Sequence, residues 1–103
     1  MLLAWISFRA QPHKRSEILS AVDATIERLQ RASGCMKARL LVDSEDPNAF
    51  SLVSEWLTLA DADAFFDSRE FQIFRGIRML LRDEPRIILD DVQTRVERLM
   101  SHR

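Results

Sequence analysis

Residues 35–57, CMKARLLVDSEDPNAFSLVSEWL, read as two strands around a turn, and the rest of the chain is interpreted from that pair. In 35–43, alternation sets Met36, Ala38, Leu40 and Val42 on one face against Lys37 and Arg39 on the other. Pro47 and Asn48 in the middle are turn formers, proline through its fixed φ and asparagine through its side-chain bonds to nearby backbone. Residues 50–57 return with Phe50, Leu52, Ser54 and Trp56 on one face and Ser51, Val53, Glu55 and Leu57 on the other. An antiparallel hairpin follows.

Upstream, residues 2–10, LLAWISFRA, are rich in β-formers. Alternation puts Leu3, Trp5, Ser7 and Arg9 on one face and Ala4, Ile6 and Phe8 on the other, so this strand is apolar on both. PHKRSEILSAVDATIERLQRAS then carries Ile18, Val22, Ile26 and Leu29 at helical spacing, with Pro12 near its start and Gly34 placed to cap its end. Downstream, Thr58 and Asp61 resemble a capping box with Asp in place of Glu and open a short helix through about Phe66. Ser68 and Glu70 start a second helix, REFQIFRGIRMLLR, in which Phe71, Phe74, Arg78 and Leu81 follow one stripe and Ile73, Ile77 and Leu80 an adjacent one. Gly76 inside it costs about 1 kcal/mol relative to Ala, so a close approach is expected there.

Pro85 ends the helical region and RIILDDV reads as a last strand. In the tail, Val92, Val96, Leu99 and Met100 fit a helical stripe while Val92, Thr94 and Val96 fit strand alternation. The expectation leans to an extended continuation ending in a few helical or frayed residues. The order is therefore β-α-β-β-α-β, an α+β, ferredoxin-like domain over residues 1–103 with a four-stranded antiparallel sheet and both helices on one face. Strands one and three are apolar on both faces, so something must cover the open side. A second copy of the same sheet is the simplest cover.

A net charge of -1 leaves no basic surplus for a phosphate backbone, and nucleic acid is excluded as a partner. The lone Cys35 has no internal disulfide partner, the apolar part of MLLAWISFR is too short for a signal peptide, and no apolar run is long enough to span a membrane. A cytoplasmic location is expected.

GCM after the first helix, DSEDPNAFSLVSEW across the hairpin and DSREFQIFRGI after it resemble the antibiotic biosynthesis monooxygenase (ABM) domain family over about residues 2–92. The resemblance implies a dimeric α+β barrel: a homodimer whose two sheets face each other, with a pocket in each subunit between sheet and helices. It also implies oxygenation of a phenolic or quinol-like molecule without a metal or flavin cofactor, through a substrate carbanion that reacts with dioxygen. The protein's work would be enclosure, deprotonation and stabilisation of the developing oxyanion. Haem-degrading relatives use an Asn on strand one and a His on the second long helix, where this chain has Ser7 and Phe8, and about Phe74 or Arg75. Phenol-oxygenating relatives lean on tyrosine hydroxyls, and this chain has no Tyr.

Trp56 is the best-matched site candidate, either walling the pocket and offering its indole N–H or filling the sheet–helix core. Phe65, Phe66, Phe71 and Phe74 would line an aromatic cavity with it, or complete that core. Ser7, Arg9, Ser54 and Arg75 are the polar candidates, Arg9 or Arg75 serving as a fixed oxyanion donor unless solvated or salt-bridged. His13 is of the residue type that most often serves as a general base but sits among Lys14 and Arg15 in what reads as an exposed helix entrance. Cys35 has no matching His and reads as a buried structural thiol. His13, Cys35 and His102 lack any metal-ligand spacing, and Asp83-Glu84 and Asp90-Asp91 read as solvated edges. Two functions remain: a cofactor-independent monooxygenase acting on an aromatic or quinol-like molecule, or a non-catalytic dimeric module that binds a small hydrophobic ligand.

Overall fold

In a computed structural model that describes residues 1–100, the alternating segments form β1 (Leu2–Arg9), β2 (Cys35–Val42), β3 (Ala49–Trp56) and β4 (Arg86–Asp91). The helical segments form α1 (Arg15–Arg31), α2 (Leu59–Phe66) and a short α3 (Gln72–Arg75) flanked by single 3₁₀ turns at Arg69–Phe71 and Arg78–Leu80. The strands make one antiparallel sheet in the order β2-β3-β1-β4, the α+β, ferredoxin-like arrangement expected, and the sheet is open at both edges.

Cross-strand register explains the core. Leu2, Ala4, Ile6 and Phe8 of β1 stand opposite Trp56, Ser54, Leu52 and Phe50 of β3, and all eight are buried. Ile18, Val22 and Leu29 of α1 bury on them, and Ala62, Phe65 and Phe66 of α2 and Phe71, Phe74, Ile77 and Leu81 complete the layer. Burying aliphatic and aromatic side chains of this size contributes about 1.5–3 kcal/mol each, so this interface dominates the stability. The opposite face has no helix on it. Its central row runs Arg39, Val53, Trp5 and Ile88 across β2, β3, β1 and β4.

Several local features depart from the pattern read in the sequence. Pro12 lies in a turn ahead of α1, where Lys14 N–H donates to Gln11 O at 3.1 Å and His13 takes a φ of 67°. The C-cap of α1 is Ala32, and Gly34, at φ 83°, instead turns the chain into β2 with its Cα against the Asp61 side chain. A bulge between Cys35 and Lys37 inserts Met36 as an extra residue, so Cys35, Ala38 and Leu40 face the core and Met36 is exposed. Thr58 caps α2 as expected, its hydroxyl accepting from Asp61 N–H at 3.1 Å.

The long helix expected over 69–82 is instead a chain of short turns. Phe71 closes the first 3₁₀ turn, Phe74 lies in α3 and Ile77 just after it, and the breaks between these short turns leave all three on the inward side. Gly76 marks no close approach between elements; a Cβ there would meet only the preceding turn's carbonyls, Ile73 O at 3.3 Å and Gln72 O at 3.5 Å. Val92 pairs with Met1 through N–H to O at 2.7 Å, after which residues 93–100 follow no regular structure. The tail's helical stripe is not formed: Val96, Leu99 and Met100 are exposed. The remainder of the expected frayed end, residues 101–103, lies outside the described residues.

Candidate functional site

A pocket of about 290 Å³ opens where the inward faces of β1 and β4 meet the turns around α3. Ile6, Phe71, Phe74, Leu81, Pro85 and Ile87 supply its apolar lining, and Arg75, Arg78 and Glu84 its charged groups. The rings of Phe71 and Phe74 stack at 5.2 Å with an interplanar angle of 11°, and Phe74 meets Phe8 edge-on at 5.2 Å. These rings are held by the core behind them, so the wall is pre-formed.

Two restraints fix Arg75. Its Nη2 donates to Phe66 O at 2.7 Å, satisfying a carbonyl at the end of α2, and its guanidinium lies 5.5 Å from the centre of the Phe71 ring. Arg78 pairs with Glu84 at 3.0 Å. The segment carrying Arg78 is itself clamped to the end of β1 by Gln11. Its side-chain amide donates to Met79 O and Leu81 O, both at 3.1 Å, and its backbone N–H donates to Leu80 O at 2.9 Å.

Of the residues singled out in the sequence, the structure brings Phe71, Phe74 and Arg75 together in this pocket. Trp56 is fully buried among Phe65 and Phe66 rather than on the pocket wall, and its indole N–H donates to Ser54 Oγ at 2.8 Å. Phe66 packs between Trp56 and Phe71, while Phe65 borders a separate groove at the end of α1. Ser7 and Arg9 project from the opposite face of the sheet. There Ser7 Oγ lies 3.2 Å from Ser51 Oγ, and Arg9 is salt-bridged to Asp83 at 2.6 Å. Both border a broad depression of about 430 Å³ on the uncovered side. Its lining mixes Phe8, Phe50, Leu41 and Val42 with hydroxyls and the Arg9–Asp83 ion pair, and Arg9 is already engaged there.

Cys35 is half-buried rather than buried, its Sγ donating to Lys37 O at 3.4 Å. Burial pushes its thiol pKa up, partly offset by the Lys37 backbone and reinforced by Glu55, which is the opposite of nucleophile activation. Among the described residues no cluster of His, Cys, Asp and Glu is placed to hold a metal ion, and no helix is long and apolar enough to cross a membrane.

Ile6, Arg78, Leu81, Glu84, Pro85 and Ile87 complete the pocket without having been singled out as site residues. A signal existed for two of them: Arg78 and Leu81 belong to the same sequence stripe as Phe71 and Phe74. Ile87 comes from beyond Pro85 and reaches the site through the pairing of β4 with β1, and Glu84 and Pro85 lie in the segment that leads into that strand.

Fold and site together define a small α+β domain with an aromatic pocket between an antiparallel sheet and its helical layer. The model of one family, antibiotic biosynthesis monooxygenase, matches residues 1–76, and the chain belongs to that family. Solved structures agree on the fold. A crystal structure described as an antibiotic biosynthesis monooxygenase is 22% identical over 91% of this chain and 100% of its own, with a TM-score of 0.83. A candidate antibiotic biosynthesis monooxygenase of Nitrosomonas europaea is 18% identical over 91% of this chain and 100% of its own, with a TM-score of 0.84. One of Deinococcus radiodurans is 13% identical over 97% of this chain and 100% of its own, with a TM-score of 0.88. No curated protein matches the chain.

Proposed function

We propose that this protein is a cofactor-independent monooxygenase acting on an aromatic or quinol-like molecule held in the pocket beside Phe71 and Phe74. The observation that carries this reading is the pairing of a stacked aromatic wall with a guanidinium, Arg75, held in place beside it. An electron-rich ring lies against the phenylalanines, and Arg75 receives the oxyanion that forms as the ring is deprotonated. Glu84 is the one carboxylate among the lining residues and is the available proton acceptor. The carbanion then supplies the electrons for dioxygen itself: a ring CH₂ and O₂ give a ring C=O and water, with no external reductant.

The protein works as a cytoplasmic homodimer, two sheets meeting through the row of Val53, Trp5 and Ile88 and so closing a barrel. A single-domain chain of this kind has its pocket on the helix side and its partner on the other.

A non-catalytic ligand-binding dimer is the second reading. It is favoured by two observations: Glu84 is engaged by Arg78, and the pocket lining contains no His or Tyr. Oxygen uptake separates the two. With an anthrone or a naphthoquinol, the enzyme reading expects uptake that Arg75→Gln lowers by roughly a hundredfold to a thousandfold, the range for losing one oxyanion donor. Saturable anaerobic binding of the same compounds without uptake establishes the binding module instead.

A further inference from the structure

We propose that the pocket selects ligands whose aromatic body carries a carboxylate, and that Glu84 is an internal stand-in which the ligand's carboxylate replaces on Arg78. The proposal rests on the reading of this pocket as the ligand site and adds the chemical class of what it takes. At about 290 Å³ the pocket is at the small end of ligand sites, which run to roughly 300–1,000 Å³, so one or two fused rings fill it.

The charge of the lining is asymmetric. Two guanidiniums face one carboxylate, and Arg75 makes no ion pair among the described residues, whereas Arg78 is taken by Glu84. Arg75 spends an N–H on Phe66 O and its face on Phe71, and the rest of its donor fork remains for a planar anion.

The Arg78–Glu84 pair is easily exchanged. Its side chains are 67% and 70% exposed, and an ion pair so solvated contributes little to stability. A carboxylate delivered by a ring seated on Phe71 and Phe74 forms the same kind of pair with its position already fixed, and without ordering a flexible glutamate stem. The exchange also releases Glu84 from Arg78. That carboxylate is then free to act as the proton acceptor. Arg78 and Glu84 both lie past residue 76, where the family match ends.

The test is calorimetric titration of the full chain with 2-naphthoate and with its uncharged isostere 2-naphthamide, using wild type, Glu84→Gln and Arg78→Gln, each first shown to melt like wild type. The expected result is naphthoate binding about tenfold or more tighter than the amide, as for a hydrogen bond to a charged group. Glu84→Gln should tighten naphthoate several-fold and leave the amide unchanged, while Arg78→Gln should shrink the preference, as should raised salt. Equal affinity for acid and amide overturns the selection for an anion while leaving the pocket as the ligand site. A preference for naphthoate that neither variant alters overturns the exchange with Glu84. Binding of neither compound, in wild type or in Glu84→Gln, removes the pocket reading and the proposal with it.

Discussion

Trp56 and Ser54 form a side-chain pair in which a buried indole N–H donates to a buried hydroxyl, two residues apart on the same face of β3. Trp56→Phe leaves the Ser54 hydroxyl without that partner and should cost about 1–3 kcal/mol beyond the lost packing. The Trp56→Phe/Ser54→Ala double variant should recover most of that difference, and urea unfolding of the four proteins in the cycle gives the coupling. Additive losses would show that the bond contributes nothing beyond packing. The same residues show how far single positions could be read. Alternation gave the two faces of β1 correctly, but both are apolar, so nothing local said that Ile6 rather than Ser7 or Arg9 would border the pocket. Phe71, Phe74 and Arg75 were legible because they lie close together in one segment and need no knowledge of the sheet.

At the scale of elements, hydrophobic period carried most of the information and failed where one stripe is broken into short turns. A stripe of 71, 74, 78 and 81 fits one continuous α-helix, whereas the buried residues are Phe71, Phe74, Ile77 and Leu81, and the segment breaks into short 3₁₀ and α turns that place them. The β2 bulge was equally hidden, since alternation from Met36 to Val42 is intact and only pairing with β3 reveals the extra residue. Gly34 was recognised as a helix stop, though the conformation it supplies belongs to the turn into β2. Gly34→Ala should therefore destabilise the protein by about 2 kcal/mol or more, because its φ is 83° and its Cβ would overlap the Asp61 carboxylate. A denaturation midpoint equal to wild type would contradict this account of the turn.

For the whole molecule, the uncovered sheet face sets the expected assembly. Trp5 lies at its centre, paired in register with Val53 on one side and Ile88 on the other. Light scattering on the wild type should give twice the 12.0 kDa chain mass at micromolar concentration, and Trp5→Asp should reduce it to one chain with its circular dichroism unchanged. A wild-type monomer would remove the dimer from the account and leave the sheet face in need of another explanation. This level was legible as a deficit, too much apolar surface for one helical layer. The geometry of the contact was not, because it depends on the shape of two sheets at once.

The wall of short turns around α3 has a kinetic consequence. Each turn is closed by its own bonds, Gly76 N–H to Gln72 O at 2.9 Å, Ile77 N–H to Phe74 O at 3.1 Å and Leu80 N–H to Ile77 O at 2.8 Å, while Gln11 keeps Met79 to Leu81 on β1. A continuous helix resists opening as a unit, but separate turns breathe one at a time, at a free energy far below that of global unfolding. Amides of Gly76, Ile77 and Leu80 should therefore exchange with solvent deuterium sooner than those of β1 and β3, although all of them belong to one cooperatively melting domain.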